Sequence, residues 1–269
     1  MSPREDRLDR ILARLDRDST VGVEALSEEL GVSLATVRRD LDLLEGRRLL
    51  ERTHGGASRR NVDYDLSLRY KEAAATEAKA AIARVAIDRI APGSTIGLSG
   101  GTTTFMVADA LSQRDDLLHD LTIVTNAVDI ANKLAVHPGI KVIVCGGVIN
   151  TSSFELVGSF VDAVLRGIWL DLAFIGVHAF SASAGGTTAN EDEAYVNRLM
   201  AQRADRAVVV ADSSKYGRRS FASVGGTEVF GEIITDDSLG EAALGELTAA
   251  GFAVDLARTD RTGTEAGRR

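Results

Sequence analysis

Residues 32–57 read VSLATVRRDLDLLEGRRLLERTHGGA, and this stretch decides the architecture of the amino-terminal end. Ser33 is a favourable helix N-cap. After it Leu34, Val37, Leu41 and Leu44 recur at helical spacing, which predicts one apolar face. Thr36, Arg38 and Arg39 fall off that face near the helix start, and a short strand over 49–53 then leads into His54-Gly55-Gly56. Upstream, Leu8, Ile11, Leu12 and Leu15 predict a first helix over 4–17, while Val23, Leu26 and Leu30 predict a short second one ended by Gly31. Two short helices across a tight glycine turn have helix-turn-helix spacing, and the strand after them reads as a wing. An exposed helix start carrying Thr and Arg suits the major groove, where arginine forks onto guanine and threonine reaches a phosphate or a thymine methyl.

The chain has 269 residues and a formal net charge of −8, the wrong sign for a nucleic-acid binder taken whole. The charge is unevenly spread. Residues 1–60 carry twelve arginines and twelve acids, and within 33–60 seven arginines face four acids, a local excess of three positive charges. A local basic face, not the chain total, makes phosphate contacts. Cys145 is the single cysteine, so no disulfide within the chain is possible. His54, His119, His137 and His178 are scattered, so no metal or other cofactor is expected. No apolar run reaches 18 residues and the start is rich in Arg and Asp, which predicts a cytoplasmic protein.

Residues 58–76 read as a linker, running into a helix through Ile82, Val85, Ala86 and Ile90 that Pro92-Gly93 stops. Beyond it, short apolar runs at 95–98, 121–125, 141–145, 172–175, 207–211 and 232–235 alternate with helical stretches at 103–111, 129–134, 159–166, 191–204 and 240–250. That alternation predicts a mainly parallel α/β sheet covered on both faces. The predicted division is therefore a winged helix-turn-helix over 1–57, a linker over 58–76, an α/β domain over 77–257 and a disordered tail over 258–269.

Ligands of open α/β sheets collect beyond the carboxyl ends of the strands. Gly100, Gly101, Thr102, Thr103 and Thr104 follow the first strand there and open a helix, a combination of free amides, hydroxyls and helix dipole that suits an anion. Asn126, Gly147, Asp212 and Lys215 stand at other strand ends, with Glu193 opening a helix. Lys215 could neutralise a phosphate and Asp212 hold hydroxyls. The same loop, Gly97-Leu98-Ser99-Gly100-Gly101, also fits the G-x-S-x-G pattern of hydrolases, with His178 past a later strand; no second feature supports a triad.

The run VSLATVRRDLDLLE…LLERTHGGA resembles the amino-terminal motif of the DeoR family of bacterial transcriptional regulators. SGGTTT, VTNAVDIA, CGG, ELVG, DLAFIGV, EDEAYVNRLM, VVVADSSKYG and IITD stand in the order of that family's carboxyl-terminal domain. The resemblance implies a fold similar to ribose-5-phosphate isomerase and a phosphorylated sugar or related metabolite as effector. It implies that the loop at 100–104 takes the phosphate and that Asp212 and Lys215 face the sugar. For the head it implies operator contacts from Ser33, Thr36, Arg38 and Arg39, with Arg52 and His54 steadying the wing. It further implies a regulator, most often a repressor, of carbohydrate metabolism, working as a homo-oligomer, a dimer or tetramer, on double-stranded operator DNA. Three positions depart from the family habit: Arg48 replaces a usual Gly, Ser99 a frequent Asp, and Asn197 a frequent Lys. The rival reading is a sugar-phosphate isomerase with a DNA-binding appendage, in which Asp212 and Lys215 would serve as acid and base.

Overall fold

A computed structural model of the chain describes residues 77–259 continuously, and before them residues 20–46, 50–53 and 55–59 with helical positions 7, 8, 10, 11, 14, 15 and 18. The chain divides into two compact units, 1–66 and 67–269. Residues 60–76 of the predicted linker, the tail from 260, Arg48 and His54 lie outside the described residues.

In the first unit, β1 (Thr20–Gly22), α1 (Val23–Leu30), α2 (Leu34–Gly46), β2 (Leu50–Thr53) and β3 (Gly56–Arg59) follow in order. Gly31, at φ 66°, ends α1 in the left-handed conformation that glycine adopts without steric cost. Ser33 caps α2 as its sequence predicts: its hydroxyl accepts the Thr36 amide at 3.2 Å. Leu8, Ile11 and Leu15 of the first helix, Leu26 of α1, Val37, Leu41 and Leu44 of α2, and Leu50 of β2 close one buried core. The wing is an antiparallel sheet in the order β1-β3-β2. Its outer strand β1 has no sequence signal, because three residues are too few to show alternation. Leu34 departs from expectation. It is 41% exposed, so the predicted apolar face runs through Val37, Leu41 and Leu44 only. Truncating Leu41 to Ala would remove a fully buried side chain from this small core. The expected loss is about 2–5 kcal/mol, a large share of what a domain this size holds. Calorimetry should then show the head melting early while the transition of the second unit stays in place.

The second unit is built on a seven-stranded sheet. Its strands are β4 (Thr95–Leu98), β5 (Leu121–Thr125), β6 (Ile140–Val144), β9 (Leu170–Gly176), β12 (Ala204–Val210), β14 (Glu232–Asp236) and β15 (Ala253–Ala257). All their pairings are parallel, in the order β15-β14-β12-β9-β4-β5-β6. Helices α3 (Glu77–Ile87), α4 (Thr102–Leu111) and α5 (Val128–Leu134) lie on one face; α6 (Phe160–Leu165), α7 (Glu191–Gln202) and α8 (Glu241–Ala249) lie on the other. The strands alternate between the two cores. Phe174, Val208 and Val210 join the first, while Ala173, Ile175 and Val209 join the second. This period-two division explains why the strands read as continuous apolar runs. Two smaller sheets were not foreseen: the antiparallel hairpin β7 (Val148–Asn150)–β8 (Glu155–Val157), and β10 (Ala179–Ser181), β11 (Gly185–Thr188) and β13 (Ala222–Gly225), ordered β10-β11-β13. None of the described helices is long and apolar enough to cross a membrane.

Candidate functional sites

The outer side of α2 carries the first candidate site. Arg38 and Arg39 are exposed, and among the described residues neither forms an ion pair. The other described arginines of the head are committed. Arg7 bonds Asp40 at 2.6 Å, and Arg14 meets Asp18 and Glu29. Arg52 bridges Asp42 at 3.3 Å and donates to the Gly56 carbonyl at 3.0 Å, so it ties α2 to the wing. Ser33 and Thr36 are also occupied, with their hydroxyls 3.0 Å apart. Among the described residues, the uncommitted arginines of the head therefore lie near the start of α2.

The second candidate site follows from strand order. From β4 the chain proceeds to β5 and β6 on one side, whereas β9, β12, β14 and β15 fill the other. The direction of winding switches between β4 and β9, and the crevice beyond their carboxyl ends is where such sheets bind ligands. Gly100 to Thr104 follow β4. Gly101, at φ 118°, opens α4 in a conformation few side chains adopt, and no side chain caps the helix. Thr103 is buried and its hydroxyl has no hydrogen-bond partner, which is costly unless something else supplies one. Ser99 is also buried. Its hydroxyl accepts the Gly176 amide at 2.9 Å and donates to the Gly100 carbonyl at 3.3 Å, so it knots the β4 and β9 ends together and is no exposed nucleophile.

Gly100 is pressed by Glu155 at the tip of the β7–β8 hairpin. A Cβ at position 100 would stand 2.2 Å from that carboxyl carbon. Glu155 in turn accepts from Asn126 Nδ2 at 3.1 Å, while Asn126 Oδ1 is buried without a partner. Gly147 stands at the hairpin base, where the Val157 carbonyl would lie 2.7 Å from a Cβ, so close backbone approach requires a glycine. Gly100→Ala should displace Glu155 and break its bond to Asn126, at about 1–3 kcal/mol for an overpacked site. Adding Glu155→Ala should restore most of that loss in urea unfolding, because it removes the obstructing atoms.

On the β9 side, Lys215 points inward from the short helical turn Ser213–Lys215. Its Nζ donates to the Val177 carbonyl at 2.7 Å, and among the described residues this neutral oxygen is its one hydrogen-bond partner. Burial pulls the ammonium below the ordinary lysine value, with Asp212 opposing and Lys79 adding to the shift. Asp212 is half-buried and accepts from the Ser214 hydroxyl. Asp236 fixes the turn, accepting the Ser213 amide at 2.7 Å and its hydroxyl at 2.9 Å. Burial alone would raise the Asp236 carboxyl; these bonds and those from Ser238 hold it below the usual range.

Glu193, N-capped through Asn190, is held at both oxygens, by Asn150 at 2.9 Å and Thr188 at 3.1 Å. Thr188 also meets His178 Nδ1 at 2.5 Å. The Thr188 hydroxyl has one proton and gives it to Glu193, so this short bond makes Nδ1 the donor and leaves Nε2 an acceptor. The Ala189 amide, 3.4 Å from the same nitrogen, is the weaker contact. Burial lowers the His178 pKa, with Glu193 opposing and Lys215 reinforcing. Sequence reading missed His178, Asn150 and Thr188 as members of this group. Asn197 donates to the Gly176 carbonyl at 3.3 Å, spanning α7 and the end of β9. Cys145 is buried and its thiol is pushed up to about 12, which makes it unreactive.

Two family models match the chain: a DeoR-like helix-turn-helix domain over residues 7–61 and a DeoR C terminal sensor domain over residues 74–237. An HTH-type transcriptional regulator, GlpR, of Haloferax volcanii is 37% identical over 93% of this chain and 96% of its own length. The glycerol-3-phosphate regulon repressor of Escherichia coli K12 is 28% identical over 84% and 88%. Among solved structures, a ribose 5-phosphate isomerase from Plasmodium falciparum aligns with 51% of this chain and 52% of its own at 18% identity, with a TM-score of 0.39.

Proposed function

Since this chain belongs to the DeoR family of transcriptional regulators, we propose that it is a repressor of carbohydrate metabolism whose grip on operator DNA is set by a phosphorylated sugar or a related metabolite. The observation that carries this reading is Lys215, a half-buried cation at the crevice whose one described hydrogen-bond partner is a neutral carbonyl. Such a group is costly until an anion joins it. The uncapped start of α4 and the unpartnered Thr103 hydroxyl supply amide and hydroxyl donors for the same anion. Asp212, Glu193 and His178 Nε2 offer acceptors suited to sugar hydroxyls. The E. coli relative represses a glycerol-3-phosphate regulon, which supports a phosphorylated polyol as the ligand class.

In this reading Arg38 and Arg39 meet the operator from the helix start that Ser33 and Thr36 close, Arg52 and His54 steady the wing, and Gly100–Thr104, Asn126, Gly147, Glu193, Asp212 and Lys215 form or frame the effector site. The protein acts in the cytoplasm and pairs its heads by self-association, because a single small head reads too few bases for specificity. It senses without turning its ligand over, because a regulator gains nothing by destroying its signal. Thermal melting against a panel of phosphorylated sugars and their unphosphorylated counterparts tests the site, since a ligand of the native state raises the midpoint. Stabilisation by phosphorylated members alone is expected. A response to the free sugars alone would overturn the anion reading. Steady isomer ratios by NMR are expected in the same mixtures, and turnover there would establish the isomerase instead.

A further inference from the structure

We infer that Leu34 is a specificity-determining residue that packs against the C5-methyl of a thymine in the operator; this rests on α2 being the helix that enters the major groove. On α2, Val37, Leu41 and Leu44 are buried almost completely, whereas Leu34 is 41% exposed in the first turn. Ala35, Arg38, Arg39 and Asp42 share that outer side. Leu34 lies four residues before Arg38 and Ala35 four before Arg39, so two stripes each run from an apolar residue to an uncommitted arginine. The helix start is the part of a recognition helix that reaches base edges.

The polar candidates there are already engaged. Ser33 caps the helix through the Thr36 amide, and the two hydroxyls lie 3.0 Å apart. A single surface leucine is ordinary on most of a protein. This one sits ahead of free cations on a face otherwise built for DNA, and it interrupts an apolar period that would have buried it. Leucine neither donates nor accepts, so the base feature it matches is the thymine methyl, the apolar group displayed in the major groove.

The test uses a duplex enriched from a randomised library by the full-length chain. Each thymine is replaced in turn by deoxyuridine, which removes the methyl alone. For the parent chain, one or more positions should weaken binding about fourfold, as expected for burying one methyl-sized group. Leu34→Ala and Leu34→Ser should bind the thymine and deoxyuridine duplexes equally. Arg38→Ala should lose affinity on both yet keep the ratio between them. A parent chain indifferent to every replacement, or a Leu34→Ala chain with the parent's ratio, overturns the inference while leaving DNA binding intact. A library that enriches no sequence overturns the DNA reading and this inference with it.

Discussion

Lys215→Met is expected to leave operator affinity at the parent level while strongly weakening release by the effector. Methionine keeps the length of the side chain and removes the ammonium, so the turn pinned by Asp236 should hold. Hydrogen bonds to charged groups are worth about 1.5–3 kcal/mol, so the effector dose needed for release should rise about 10- to 150-fold. Gel shifts titrated with the stabilising sugar phosphate read both quantities. A variant that releases at the parent's dose would remove Lys215 from the site. The pH dependence follows from the sign of the shift. The free-state ammonium loses its proton below the ordinary lysine value of 10.5, and an anion favours the charged form. Effector affinity should therefore fall as pH rises through that lowered value, earlier than an exposed lysine would dictate.

Arg38→Ala is expected to weaken operator binding by about 1–3 kcal/mol if its guanidinium forks onto a base, with relaxed discrimination at one position. A residue that meets phosphate instead would lower affinity evenly across sequences and flatten the salt slope by about 1. Running Arg38→Ala and Arg39→Ala across a salt series separates the two roles. Arg52→Ala is the contrasting case. Its guanidinium is tied to Asp42 and the Gly56 carbonyl, so its loss should appear as a loosened wing and a lower melting temperature of the head. Unchanged affinity in both Arg38→Ala and Arg39→Ala would place the DNA contact elsewhere.

Much of this architecture is legible in the residues. Helical period marks Val37, Leu41 and Leu44 as the inner face of α2, and the apolar runs mark the buried parallel strands. Both signals are local and repeat often enough to stand out. β1, the β7–β8 hairpin and the β10-β11-β13 sheet escape because they are short and lie outside the alternation of apolar runs and helices that marks strands such as β4. Leu34 misleads for a related reason: spacing reports which residues share a side of a helix, not whether the first turn is covered. In the crevice, residues next to glycine-rich strand ends are visible in sequence. His178, Thr188 and Asn150 are not, because their meeting with Glu193 depends on elements up to 43 residues apart. The consequence of Ser99 is likewise hidden until the Gly176 amide is seen to arrive from β9.

The hairpin tip is moored on both of its sides. Asn150 and Glu155 face each other across its last rung, one fastened to the α7 bank through Glu193 and the other to the opposite bank beside Gly100 and Asn126. The second side is also held by backbone bonds, from the Val128 amide to the Phe154 carbonyl and from the Leu156 amide to the Asn126 carbonyl, so a guest that takes over the Glu193 fastening leaves the tip anchored there. Any loosening should therefore start at the Asn150 strand, where Val148 and Ile149 are exposed.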